Sequence, residues 1–398
     1  MSKKPENDVS FIVMDHSQKE IEQYQNIHVY KHNYYPEAGY LYKKYFQGIR
    51  REVHYFIKYP YIKVNKKTPQ IYLKAFIIAI ESLFFRLFQK IRTSLSSKMH
   101  IGDFQISREK FKTYNKVDAD IYIISGVSNL AAEVFAFCRN NNKKSILLLA
   151  SDNDLSEDYQ TKSNEVLLYK NIGQLCHYAL KNANCIISQT EYQKTLLKQR
   201  FDRESIILRN PLELGDYSEF IPLKDRKTAL WVGKSDTIKQ PQILIDLAKQ
   251  FSNQEFTLIM NHVNREIHRK ILDHLPPNVI YYEYVSFFEI EKFFSEAFVL
   301  INTSVFEGFP NTFLQAGKFG VPILSLKVDP DNFISKNNCG IVANGDHNQF
   351  IEGFKQLINN KEKALSYSKN IQNYIKKFHD AKDITNQLQS IISEKLHH

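Results

Sequence analysis

Three sets of residues in this 398-residue chain have the types and spacing to do chemistry. The first is Glu307-Gly308-Phe309-Pro310-Asn311, with Thr312 directly behind it. A strand-like run, Phe298 to Asn302, leads into it, and a short helix is predicted from about Asn311 to Lys318, stopped by Gly320-Val321-Pro322. A strand feeding a glycine turn and then a helix presents unpaired N–H groups and the positive end of a helix dipole, which suits an anion such as a diphosphate. Glu307 could accept hydrogen bonds from a neutral polyol beside that anion. The same pattern also fits an ordinary βα turn with Glu307 as a solvated carboxylate. The second set is Gly233-Lys234 with Lys239 five residues later, two cations above a βα turn that could neutralise a diphosphate or be plain surface. The third is Asp152-Asn153-Asp154 at the end of an apolar strand. These aspartates could cap a loop or hydrogen-bond hydroxyls, and the C-terminal end of a parallel strand favours a crevice. Two aspartates do not make a metal site, and none is expected.

The elements needed to position these residues are legible around them. From Asp118 the pattern is βα: strand DIYIIS, helix NLAAEVFAFCRNN, strand SILLLAS, helix Ile172 to Lys181, strand CIISQ, helix EYQKTLLKQRF and strand SIILRNPL. Asn210-Pro211 and the polar run after it read as a linker. Strands TALWVG, EFTLIM, VIYYE and FVLINT then alternate with helices QPQILIDLAKQF, VNREIHRKILDHL and SFFEIEKFF, which predicts a parallel sheet covered on both faces. Two long helices, Lys361 to Phe378 and Asp383 to Leu396, close the chain.

The runs SVFEGFP, NTFLQA and FGVPIL, at this spacing, resemble the signature of the family-four retaining glycosyltransferases, also called glycosyl transferases group 1. That signature is a Glu, then Gly-Phe-Pro-Asn, then a second Glu eight positions after the first. Here Gln315 stands at the second position. Gly233-Lys234…Lys239 resembles the family's Val-Gly-Arg…Lys pair, with Lys where Arg is usual, which keeps the charge and loses the planar fork. SILLLASDNDL is similar to a family segment that faces the interdomain cleft, and ANCIISQTEYQKTLLKQRF…IILRNPL to the end of the family's first domain.

The resemblance is strongest over residues 210–344. It implies an α/β GT-B fold: two Rossmann-like domains with parallel sheets facing a cleft and C-terminal helices packing across both. The expected division is 1–211 for the acceptor-side domain, 212–378 for the nucleotide-sugar domain and 379–398 for a final helix. It also implies an enzyme that moves a hexosyl-type sugar from a nucleoside diphosphate, a UDP-sugar being expected, to a glycan or lipid-linked acceptor in building cell-surface polysaccharide. No metal or further cofactor is implied. Glu307 would hold the sugar, Lys234 and Lys239 the diphosphate, with the backbone from Gly308 through Phe309, Pro310 and Asn311 to Thr312. Gly233 would line the donor site, Gln315 would face the ribose, and the turn at Tyr284-Val285 would meet the base. Asp152 and Asp154 would lie on the acceptor side, with Glu307, Lys234, Lys239 and Asp152 as the catalytic group. The alternative is a weak or inactive GT-B subunit that partners another glycosyltransferase. Gln315 favours it, as does the start: no glycine-rich loop accompanies the strand at Val9, so the chain is expected to enter a shortened first domain at its second strand.

Composition excludes several other classes. A hydrophobic fraction of 43% with 24% charged residues is globular. Cys138, Cys176, Cys185 and Cys339 lack metal-type spacing and suit a reducing cytosol. The start, MSKKPENDVS, has no apolar core, so no signal peptide is expected. The net charge of +10 is concentrated between Leu41 and Asp120, where 17 Lys/Arg face 6 Asp/Glu. That window contains IYLKAFIIAIESLFFRLFQKI, a core helix or an interfacial one. Residues 71–98 are therefore expected to meet an anionic membrane, which would place the protein peripherally at the inner face of the plasma membrane. No nucleic-acid recognition motif is present, and a protein partner that covers the shortened first domain is a further expectation.

Overall fold

The structure is a computed structural model. It describes residues 119–160, 165–167, 171–215, 221–286 and 289–396, together with 114, 115 and 117. Before these it describes only the backbone of five short strands. The apolar basic stretch 71–91 lies outside the described residues. Two compact units are present: residues 1–121 with 136–143, and residues 122–135 with 144–398.

In the first unit, β1 (Val9–Val13) pairs in parallel with β3 (Ile27–Lys31), and β2 (Ile21–Tyr24) pairs antiparallel with β3. β4 (Lys98–Ile101) and β5 (Phe104–Ser107) form an antiparallel pair. β1 and β3 coincide with apolar runs in the sequence. β2, β4 and β5 are only four residues long; β4 and β5 alternate polar and apolar residues, but over too few positions to mark a strand.

The second unit contains two sheets, with Ile121 at the start of the first sheet and residues 136–140 of its first helix grouping with the first unit. One has the order β6-β7-β8-β9, from β6 (Ile121–Ser125), β7 (Lys144–Leu148), β8 (Cys185–Ser188) and β9 (Ile206–Ile207). The helices α1 (Asn129–Asn140), α2 (Gly173–Asn182) and α3 (Glu191–Phe201) alternate with its strands. The expected strand over SIILRNPL is only two residues long.

The other sheet comprises β10 (Thr228–Lys234), β11 (Glu255–Asn261), β12 (Val279–Tyr282), β13 (Ala297–Asn302), β14 (Ile323–Ser325) and β15 (Gly340–Val342), all paired in parallel. Between them run α4 (Pro241–Gln250), α5 (Arg265–Asp273), α6 (Ile290–Glu296), α7 (Asn311–Lys318) and α8 (Phe333–Lys336). The C-terminal part holds α9 (His347–Asn359), α10 (Lys361–Phe378) and α11 (Ala381–Leu396).

The order β12-β11-β10-β13-β14-β15 reverses direction between β10 and β13. Successive connections leave on opposite faces there, so a crevice opens beyond the carboxyl ends of those two strands. Gly233-Lys234 and Thr303 to Asn311 lie at those ends. Burial on both faces explains why the strands read as continuous apolar runs. One core is built around Trp231, Leu258 and Phe354, the other around Leu300, Phe313 and Ile375.

The second core holds α7 in place. α10 lies directly over it, and a Cβ built at Gly317 would fall inside van der Waals contact with Ile375, which is fully buried. Gly320, at φ +61°, ends the turn. After α10 the chain returns to the linker: Leu212 N–H donates to the His379 carbonyl at 2.8 Å, and Ala381 N–H to that of Leu212 at 3.0 Å. Gly317→Ala should therefore drive α10 off α7 and cost about 1–3 kcal/mol. Urea denaturation measures it; a loss below 0.5 kcal/mol would mean the helices can part freely.

Candidate active site

The loop after β10 and the loop after β13 are laced together. The Trp231 indole N–H donates to Thr303 Oγ1 at 2.8 Å, and that hydroxyl donates to the Lys239 carbonyl at 2.6 Å. Val305 N–H donates to the Ile238 carbonyl at 2.9 Å. The indole folds under Gly233, where a Cβ would lie 2.6 Å from the ring, so only glycine lets the strand end pass this close. Asp236 turns the loop by accepting from the N–H groups of Ile238 and Lys239 at 3.1 and 2.8 Å.

This lacing delivers Lys239 to Glu307. Nζ and Oε1 form an ion pair with side chains only 22% and 15% exposed. Lys234 ends β10 in solvent. Gly308, Phe309 and Pro310 are buried, Thr312 is half-buried and Asn311 exposed. Pro310 takes the N-cap position of α7 without a side-chain cap, so the positive end of the helix opens beside Glu307. Gln315 sits one turn further along, and its Oε1 is buried with no hydrogen-bond partner among the described residues. Tyr284 and Val285 follow β12 at the same end of the sheet; Tyr284 is 72% exposed and Val285 packs on the core.

The first sheet meets this loop. Ser151 and the two aspartates follow β7, but the aspartates do different work. Asp154 accepts N–H bonds from Val127, Ala150 and Ser151 at 3.1, 2.6 and 3.2 Å, so its carboxylate shapes its own loop. Burial nevertheless pushes its carboxyl up to about 6. Asp152 accepts one bond, from Gln193 Nε2 at 3.1 Å. Burial lifts it too to about 6, the Gln193 bond opposing and the charges of Asp331, Asp154 and Glu307 adding. Asp152 borders a cavity of about 420 Å³, shared with Asn153, Tyr192, Arg200 and Phe306.

Three residues that sequence patterning passed over bind the two sheets together. Gln189 Oε1 accepts the Phe309 N–H at 2.7 Å. Gln193 and Gln189 crowd Gly308, where a Cβ would lie 2.7 Å from Gln189 Oε1 and 2.9 Å from Gln193 Nε2. Asp331, in the left-handed region at φ +51°, accepts from Glu191 and Tyr192 N–H at 2.9 and 3.1 Å and so caps α3. Gln189 could have been found by its place beyond the carboxyl end of β8. On the far side His379, fully buried, stacks on Phe309 at 4.6 Å and donates through Nδ1 to the Asn210 carbonyl at 2.8 Å. Burial pushes its imidazole down to about 4, so it is neutral at pH 7.

The structure thus brings Gly233, Lys239, Glu307 to Thr312 and Asp152 to one crevice, with Lys234 at its rim. Among the described residues no cluster of three or more His, Cys, Asp or Glu could hold a metal.

Residues 226–360 match the family model described as Glycosyl transferases group 1. A protein of Klebsiella pneumoniae, described as an uncharacterized 41.2 kDa protein in cps region, is 26% identical over 252 residues, 60% of this chain and 69% of its own length. Among solved structures, sucrose-phosphate synthase from Thermosynechococcus elongatus superposes with a TM-score of 0.66 at 12% identity, covering 97% of this chain and 88% of that one. A TarM variant of S. aureus, in complex with fondaparinux, alpha-GlcNAc-glycerol and UDP, gives 0.58 at 17% identity over 72% of this chain. This chain spans 59% of that protein's length. The fold is GT-B, and the matched domain with that fold supports a GT-B glycosyltransferase.

The raised carboxyl of Asp152 has a thermodynamic consequence. With a folded value near 6 against an ordinary 3.8, the ionised group costs stability at neutral pH, and the cost fades as pH falls through 6 towards 3.8. Asp152→Asn should therefore stabilise the protein by about 1–3 kcal/mol at pH 7.5. Urea titration should show the gain shrinking by pH 4.5; a gain independent of pH would mean that Asp152 is not buried as an anion.

Proposed function

We propose that this chain is a family-four retaining glycosyltransferase, moving a hexosyl-type sugar from a UDP-sugar to a glycan or lipid-linked hydroxyl in cell-surface polysaccharide synthesis. The observation that carries this reading is the Lys239–Glu307 pair beside the open end of α7, at the point where the strand order reverses. A cation, a polyol acceptor and a helix N-terminus together suit a sugar joined to a diphosphate. The cps region of the Klebsiella relative supports the polysaccharide setting, and the UDP of the TarM variant structure supports the donor.

In this mechanism Lys234, Lys239 and the N–H groups of Gly308, Asn311 and Thr312 hold the diphosphate, the Phe309 N–H being taken by Gln189 and Pro310 having none, and Gly233 keeps the approach clear. Glu307 accepts from the sugar hydroxyls. The lone buried Oε1 of Gln315 suits a ribose hydroxyl as donor. The turn at Tyr284 and Val285 meets the base. The bond from C1 to the diphosphate oxygen breaks, its electron pair leaving with UDP. The acceptor oxygen then bonds C1 on the same face, and its proton passes to the departing phosphate oxygen. Asp152 accepts a hydrogen bond from the acceptor as it approaches, and Asp154 keeps that loop in shape. Lysines and helix dipole stabilise the leaving charge, so no metal is needed.

The chain would work in the cytoplasm at the inner membrane face, attached through the basic stretch 71–98. Among the described residues no helix is long and apolar enough to cross a membrane. Gln315 in place of a glutamate favours one other reading, a weak subunit that depends on a partner chain.

Glu307→Gln should lose about 1.5–3 kcal/mol of hydrogen bonding to the sugar, slowing turnover by about 10–150-fold. UDP release from UDP-glucose, UDP-galactose and UDP-N-acetylglucosamine measures it. Turnover within threefold of wild type would overturn the role of Glu307, and a wild type that works only with a second chain would favour the subunit reading.

A further inference from the structure

Three hydrogen bonds run in series from the motif loop to the acceptor-side carboxylate. Phe309 N–H donates to Gln189 Oε1 at 2.7 Å. Gln189 N–H donates to Gln193 Oε1 at 2.9 Å. Gln193 Nε2 then donates to Asp152 Oδ1 at 3.1 Å. We propose that Gln189 and Gln193 are positioning residues that join the donor loop to Asp152, holding that carboxylate ionised and aimed while the loop is in place. The proposal rests on the functional reading above for the roles of Asp152 and Glu307.

The geometry leaves the glutamines little choice. Turning the Gln193 amide over would set its NH₂ against the Gln189 N–H and its oxygen against a carboxylate, two repulsive contacts at once. Turning Gln189 over would set an NH₂ against the Phe309 N–H. Gln193 is fully buried, and its own N–H is tied to Thr190 Oγ1 at 3.1 Å, so the side chain starts from a fixed backbone. The Asp331 cap on the two preceding N–H groups, those of Glu191 and Tyr192, ties the same turn of α3 to the second sheet. Gly308 has no side chain to separate the loop from either amide. A shift of the Glu307 loop therefore acts on Gln189, and Gln189 shares its backbone turn with Gln193.

The electrostatics give the relay its purpose. Asp154, Asp331 and Glu307 all raise the cost of a charge on Asp152, and burial raises it further. Glu157 and Arg200 also border its cavity but are paired with each other, with Nη2 to Oε1 at 2.7 Å. Lys239 is paired with Glu307. The Gln193 amide is the hydrogen bond that favours the ionised form. Losing it should let Asp152 protonate at higher pH without touching the diphosphate site.

The test is Gln193→Leu, with Gln193→Met as the near-isosteric second variant should leucine fail to fold. UDP release from UDP-glucose and UDP-N-acetylglucosamine, with water as acceptor, is followed from pH 5 to 9, and UDP affinity is measured separately by calorimetry. The acid limb of the profile should move up by about one pH unit, with UDP affinity within about twofold of wild type. Gln189→Met should lower turnover and leave the limb in place, because Gln193 keeps its bond to Asp152. An unmoved limb in the Gln193 variants, with wild type active and binding UDP, overturns the relay alone. A wild type that neither binds UDP nor releases it from either sugar overturns the functional reading and the relay with it.

Discussion

The site depends on a part-buried ion pair, Lys239–Glu307, whose partners are delivered by two fixed loops. Taking Lys239 and Glu307 partly out of water carries a desolvation cost, and their attraction offsets it only in good geometry. The geometry comes from the Thr303 hydroxyl, held between the Trp231 indole and the Lys239 carbonyl, and from the Val305–Ile238 bond. Both loops leave neighbouring strands at the point where the sheet reverses direction, so the pair is a product of topology as much as of local sequence.

Around this pair the two sheets share work unequally. The second supplies the cation, the acid and the helix N-terminus. The first supplies a turn, Gln189 to Gln193, that touches the motif backbone, and a carboxylate held against its preference for protonation. Such a carboxylate reduces stability, and its presence beside Glu307 fits a site where function outweighs stability. The neutral His379 performs the opposite task behind the loop, filling space against Phe309 and tying the linker down.

The second sheet was legible because burial on both faces writes itself as apolar runs, and because glycine and proline mark the turns. The helix predicted from Asn311 to Lys318 and the one from Lys361 to Phe378 are found with those bounds. Lys239 and Glu307 were each legible through their family resemblance, but their pairing was not; only the fold brings residues 68 positions apart together. Asp152 and Asp154 looked alike in sequence, and backbone N–H groups told them apart. Gln189, Gln193 and Asp331 stayed hidden because an amide or an acid at a helix start reads as an ordinary cap, and their partners lie in another sheet. β2, β4 and β5 were hidden by their length of four residues each.

The central claim is that Lys239, with Glu307 and the end of α7, forms a metal-free site for a nucleoside diphosphate. Calorimetric titration with UDP in the presence of EDTA tests it most directly, in wild type and in Lys239→Ala. The account predicts a single class of sites that survives chelation and is weakened about tenfold or more by the substitution. Equal affinity in the two proteins, or binding that appears only when a divalent metal is added, would contradict it.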